Sequence, residues 1–199
     1  MKRPYRAAIW VSLLLGMIPL TSRAQTLAFP GAEGFGASAT GGRGGRVIVV
    51  TTTAPSGPGS LQDALDQNGP RYVVFAVSGT IDAQIHLSHG DVTIAGESSP
   101  GGITIRGFVT DETPYQDQAV RAPAQFAQNW ILRHVRIRPG AGGPSDDGLR
   151  LRYTRNAIVD HVSVGNAVDE AVEISYSNGI TIQNSLLAET VGGHSFYGG

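Results

Sequence analysis

The stretch that decides the fold is Asn129-Trp130-Ile131-Leu132-Arg133-His134-Val135, which returns as Asn156-Ala157-Ile158-Val159-Asp160-His161-Val162. Asn178-Gly179-Ile180-Thr181-Ile182 opens a third copy, so the asparagines stand 27 and then 22 positions apart. A period in the twenties built from β-rich units is the mark of a solenoid, in which each unit buries its apolar face against the next. Asparagine at a fixed place suits a turn, because it tolerates left-handed backbone angles and can bond its own main chain. Leucine-rich repeats share the period, but their Leu-x-x-Leu-x-Leu pattern is missing. A β-sandwich would also show short strands and leaves the 22-residue register unexplained. The reading is an all-β chain wound as a stacked parallel β-coil.

Outward from the repeat, strands are expected at 46–53, 72–77, 91–94, 102–106, 130–137, 149–153, 157–164, 171–175 and 179–187. Their apolar residues mostly alternate, as in Val92/Ile94, Ile103/Ile105 and Leu149/Leu151, which turns one face of each strand inward. Only residues 59–66 read as a helix, with Ser60 as N-cap and Asp63 three positions later, and this helix is expected to lid the first coil. Gly and Pro clusters at 41–45, 56–59, 100–102 and 139–144 mark loops.

Stacking converts spacing into geometry. Residues one winding apart lie above one another, about 4.8 Å from strand to strand. Asp147 and Asp169 are 22 positions apart, like Asn156 and Asn178, so their carboxylates are expected to stack. A bend after Asp169 would fold Glu173 back to the pair, whereas a straight strand would hold it about 13 Å off. Asp146 and Glu170 flank the pair and are expected to point elsewhere on an extended chain. Like charges so placed repel unless a cation or proton intervenes. Oxygen ligands without His or Cys suit Ca²⁺, and a solvated acidic face is the competing reading of the same residues.

His134 and His161 hold the same repeat position, which signals a structural ladder more readily than a ligand pair. Asp160 and His161 are adjacent and expected on opposite strand faces. Arg133, Arg136 and Arg138 could bind an acidic ligand or pair with the excess acids. Gly41-Gly42-Arg43-Gly44-Gly45 lacks the Lys and Ser/Thr of a phosphate loop, and no Gly-x-Ser-x-Gly context supports a serine nucleophile.

Composition bounds the function. The 199 residues hold 27 Gly, 11 Pro and no Cys, which excludes disulfides, thiolate metal sites and cysteine nucleophiles. Lys2, Arg3, Arg6 and Arg23 lie in a leading stretch without acids, and from Gln25 on there are 11 Arg, no Lys and 16 acids. A net of -5 over that part argues against nucleic acid. Basic residues 2–6, an apolar run at 7–20 and Ser22-Arg23-Ala24 form a secretory pattern too short for a membrane span. Residues 1–24 therefore read as a signal peptide and 25–199 as one domain, secreted or periplasmic and free of the membrane after cleavage.

Several ordered motifs resemble the pectate lyase superfamily of secreted polysaccharide lyases. They are Gly31-Ala32-Glu33-Gly34-Phe35-Gly36, Gly41-Gly42-Arg43-Gly44-Gly45-Arg46-Val47, Ser56-Gly57-Pro58-Gly59-Ser60-Leu61 and Val74-Phe75-Ala76-Val77-Ser78-Gly79-Thr80-Ile81. Thr93-Ile94-Ala95-Gly96, Pro100-Gly101-Gly102-Ile103, residues 131–140 and Val159-Asp160-His161-Val162-Ser163 follow in order, so the likeness runs from about 28 to 188. The resemblance implies a right-handed parallel β-helix. It also implies Ca²⁺ on Asp147 (with Asp146 or Ser145 nearby), Asp169 and Glu173, bridging to the carboxylates of polygalacturonate. The implied chemistry is β-elimination, with an arginine on a later coil as base. An isolated guanidinium stays protonated, so that role needs a strongly cationic setting and alkaline conditions.

This sequence departs from the pattern. No arginine follows Arg155, and the position of the family's substrate-binding lysine falls at Gly192 or a neighbour, with His194 offering at most a sugar contact. The Gly-rich end at 189–199 carries no capping element, so the expectation is a part of a longer coil or one completed by a partner, monomeric if full-length. Little lyase activity is expected of these residues alone. The alternatives are a non-catalytic polysaccharide-binding β-helix or adhesin, and a metal-free hydrolase with a carboxylate pair.

Overall fold

The computed structural model describes residues 26–111, 122 and 125–190, so the signal-peptide stretch, Gly192 and His194 lie outside the described residues. Among the described residues every pairing between strands is parallel. One sheet stacks β1 (Arg46–Val50), β2 (Arg71–Phe75), β4 (Val92–Ala95), β6 (Ala127–Arg133), β9 (Thr154–Asp160) and β12 (Asn178–Gln183) in that order. The other runs β11 (Val172–Ser175), β8 (Leu149–Arg152), β5 (Ile103–Val109), β7 (Val135–Ile137), β10 (Ser163–Val164) and β13 (Leu186–Leu187), with β3 (Gly79–His86) beside β5. The chain is a parallel β-helix, as its repeat and alternation predict.

Inward positions form aliphatic rows along the axis. Ile48, Val73, Ile94, Leu132, Val159 and Ile182 pair in succession, as do Ile81, Ile105, Ile137, Val164 and Leu187. Trp130 and Phe108 fill the middle with ring centroids 5.5 Å apart. On the last described coil Ile174 and Leu187, which continue inward rows, stand exposed because no described strand follows. No helix among the described residues is long and apolar enough to cross a membrane.

Three runs expected as single strands are each broken in two. His134, His161 and Asn184 take left-handed angles (φ 52, 53 and 49°) between β6 and β7, β9 and β10, and β12 and β13. A second left-handed row bends the strands near their starts at Asp91, Asn129, Asn156 and Gly179. Side chains ladder along it: Asn156 Nδ2 donates to Asn129 Oδ1 (2.5 Å), and Asn129 Nδ2 to Asp91 Oδ1 (3.3 Å). The partner of Asn156 is thus Gly179, since Asn178 pairs with Arg155. The true interval between β9 and β12 is 23 residues, one more than the asparagine spacing suggests.

The residues before β1 form an arm along the outer face. Its Gly42 N–H donates to Thr93 Oγ1 (3.0 Å), Ser38 Oγ to Asn156 Oδ1 (3.0 Å), and Gly36 N–H to Thr181 Oγ1 (2.8 Å). Glycine is required at 36 and 42, where a Cβ would collide with the carbonyls of Ala157 and Arg71. The glycine cluster is therefore a close-packing device. Ala32 and Ala39 of the arm cover the outward Ile131 and Ile158.

α1 (Leu61–Asp66) lies over the first coil, its Ser60 side chain accepting from the Asp63 N–H (3.1 Å). The inward position at the start of β2 is Arg71, fully buried. Its five guanidinium donors reach five carbonyls, of Ala64, Leu65, Gly69, His89 and Gly90, at 2.8–3.1 Å. Two of them close the C-terminal end of α1, where a cation complements the helix dipole. Burial, then the nearby Arg46, lowers the Arg71 pKa. Replacing this group strands several buried acceptors, so Arg71→Met should cost about 3 kcal/mol or more of unfolding free energy, read from the urea midpoint.

Candidate metal centre

Two loops meet before the strands of one sheet: 138–148 leads into β8 and 165–171 into β11. The Asp146 carbonyl accepts the N–H groups of Val168 (2.9 Å) and Asp169 (3.1 Å). The Gly148 and Leu149 N–H groups donate to the carbonyls of Glu170 and Ala171, both at 3.0 Å. Leu149 then pairs with Val172, again an interval of 23. Counting back two positions, the residue stacked on Asp147 is Glu170.

Carboxylate oxygens of Asp147, Asp169 and Glu170 all lie within 4.8 Å of one another. Asp147 is buried, with Oδ1 accepting the Glu170 N–H (3.1 Å) and Oδ2 accepting Arg150 Nε (2.6 Å). Burial, the hydrogen bond to Asp147 and the charges of Asp147 and Asp169 push the Glu170 carboxyl up to about 7. The cluster thus has more negative charge than its surroundings neutralise.

The structure brings carboxylate oxygens of Asp147 and Asp169 together with Glu170, while Glu173 and Asp146 have other partners. Glu173 is in register with Arg150 and bound by arginines: Arg152 Nε donates to Oε1 (2.6 Å) and Arg152 Nη2 to Oε2 (2.7 Å). Burial alone would raise its pKa, but the bonds from Arg152 and Ser175 and the charges of Arg152 and Arg150 hold it below the ordinary value. Asp146 is exposed and contributes its backbone carbonyl to loop pairing. Glu170, expected to point away, takes the third place because the loop before β11 is bent. Aligning Leu149-x-Leu151 with Val172-x-Ile174 would have given the 23-residue interval and found it.

A second group, His134, Asp160 and His161, also brings ligand atoms within 4.8 Å. The imidazoles stack at 4.6 Å and 17°, the ladder their equivalence suggests. Contrary to expectation, His161 Nδ1 lies 2.9 Å from Asp160 Oδ2, because the left-handed backbone at His161 swings its ring to the same side. Arg133 Nε donates to the same Oδ2 (3.0 Å), and Gln183 and Asn184 donate to Oδ1 (2.9 and 3.0 Å). Protein groups thus already occupy both oxygens of this carboxylate. Arg133 also pairs with Glu97 (3.0 Å), whereas Arg136 and Arg138 bond hydroxyl and carbonyl oxygens.

A parallel β-helix with carboxylates gathered on the loops before one sheet is the class that fold and site define. No family model matches the chain. It is 43% identical over 187 residues to the probable pectate lyase C of Emericella nidulans, covering 92% of this chain and 41% of that protein. The probable pectate lyase C of Aspergillus terreus is 41% identical over 194 residues, 96% of this chain and 43% of that protein. The probable pectate lyase 6 of Arabidopsis thaliana is 29% identical over 176 residues, 76% and 36% respectively. In fold, the crystal structure of Jun a 1, the major allergen from cedar pollen, matches with a TM-score of 0.59 at 21% identity, over 75% of this chain and 46% of that one. By sequence the chain is a homologue of proteins named pectate lyases, and it spans about two-fifths of the length of the fungal relatives it matches.

The Asp160 network sets an acid limit on stability. Burial would raise this carboxyl, but bonds from Asn184, His161, Arg133 and Gln183 hold it well below its ordinary 3.8. Its contribution is present above that value and lost as pH falls through the depressed one. Unfolding measured against pH should show stability falling below about pH 4, with Asp160→Asn less stable near neutrality and flatter on that acid limb.

Proposed function

We propose that this chain carries the cation- and pectate-binding coils of a secreted polysaccharide lyase acting on polygalacturonate by calcium-dependent β-elimination. The observation that carries the reading is the convergence of Asp147, Asp169 and Glu170 on adjacent coils. Three hard oxygen donors without His or Cys fit Ca²⁺, and burial together with the neighbouring Asp147 and Asp169 raises the Glu170 pKa. The relatives named pectate lyase support the substrate class. The secretory pattern of residues 1–24 supports export.

When bound, the ion would draw charge from a uronate carboxylate and so acidify the proton on the adjacent ring carbon. The chain's own part is to hold the ligands before substrate arrives. The Asp147 carboxylate is fixed by a backbone N–H from the next coil, and Asp169 is fixed by its own N–H on the Asp146 carbonyl. The arginine that the resemblance implies as base has no counterpart after Arg155 in this sequence. The proposed activity of residues 1–199 alone is therefore binding with little turnover.

Calcium titration by calorimetry tests the reading. Asp169→Asn or Glu170→Gln should weaken binding by roughly tenfold or more, and Glu173→Gln much less. Polygalacturonate should bind only with calcium present. Strong ultraviolet absorbance of unsaturated product from purified 1–199 would overturn the binding-only part, and activity surviving a chelator would favour a hydrolase instead.

A further inference from the structure

Arg150 sits where a cation is called for. Its Nε lies 2.6 Å from Asp147 Oδ2 and 3.3 Å from Glu173 Oε2, so one guanidinium spans carboxylates on two successive coils. The Asp147 side chain is 1% exposed and that of Arg150 23%, which leaves the pair only partly screened by water. Glu173 already has a full partner in Arg152, bound through both oxygens. Asp147 has no cation other than Arg150 among the ion pairs of the described residues, and its Oδ1 accepts the Glu170 N–H.

We infer that Arg150 is an internal counterion that competes with the divalent ion for Asp147 and thereby sets the affinity of the acidic cluster. This rests on the calcium reading above. The argument is one of charge and space. A dication ligated by Asp147, Asp169 and Glu170 would place two positive charges within a few ångströms of a guanidinium bonded to the same carboxylate. Like charges so close in a partly buried site repel strongly, so binding must move Arg150 off Asp147. The lost ion pair subtracts from the affinity the carboxylates would otherwise have. In return, the cluster stays folded and partly neutralised while no metal is bound. Arg152 has no such conflict, because its partner Glu173 stands outside the trio.

The test uses the whole chain and calcium alone, with no substrate. Calorimetric titration of Arg150→Gln should show calcium bound about tenfold more tightly than by the unaltered protein. Arg150→Lys, which keeps the charge, should stay within about threefold. Unchanged or weaker binding by Arg150→Gln overturns the inference. If Asp169→Asn abolishes binding while Arg150→Gln fails to tighten it, the calcium reading survives and the role of Arg150 does not. If neither the unaltered chain nor Arg150→Gln binds calcium, both fail together. Should Arg150→Gln not fold, the unaltered protein still decides the matter by nitrogen–proton spectra of its guanidinium Nε–H groups. The Arg150 peak, identified by its loss in Arg150→Lys, should shift as calcium is added, and a stationary peak refutes displacement.

Discussion

In a parallel coil, whatever occupies one position must tolerate its counterpart one strand spacing away, winding after winding. Apolar rows such as Ile48 to Ile182 gain from this rule, since each layer covers the next. Polar and charged rows face a harder condition, and the molecule meets it in three ways. Asparagines bond one another at a left-handed bend, and histidines stack ring on ring at the next. Carboxylates either acquire guanidinium partners, as Asp160 and Glu173 do, or gather unneutralised, as at Glu170. Among the described residues, the acidic row at Glu170 is one where compensation is incomplete, and the proposed site rests on it.

The buried Arg71 shows the same rule at the first coil. Its row continues through Val92, Trp130, Ala157 and Ile180, all apolar. A charge is tolerated there because the helix end and two turns supply carbonyls for every donor it has. Five neutral acceptors stand in for the carboxylate that a buried cation ordinarily requires.

The repeat and the alternating strands made the architecture legible, because period and pattern depend only on side-chain size and polarity. The corners were less so. His134 and His161 read as strand interior, and only a backbone angle reveals that each turns the chain and shortens two strands. The same angle brought Asp160 and His161 together against the alternation rule. In the acidic loops Asp147 and Asp169 were legible from spacing, but the spacing itself was off by one. Asn178 and Gly179 both suit a turn, and the glycine holds it. Arg150 and Arg152 were invisible as partners of Asp147 and Glu173, since an arginine on a strand can reach several acids and the sequence does not choose among them.

The arm before β1 alters how such a stack comes apart. A solenoid whose layers touch only their neighbours can fray from either end, one layer at a time. Here Glu33 and Gly31 bond Gln183 of the last described winding, while Gly42 lies on Thr93 and Arg43 caps the Leu27 carbonyl. A single strap therefore bonds several windings, one of them 152 positions further along the sequence than the strap residue it meets. Loosening the last described winding would free one end of a strap that also binds earlier ones, so their stabilities are linked through contacts the bare stack does not have.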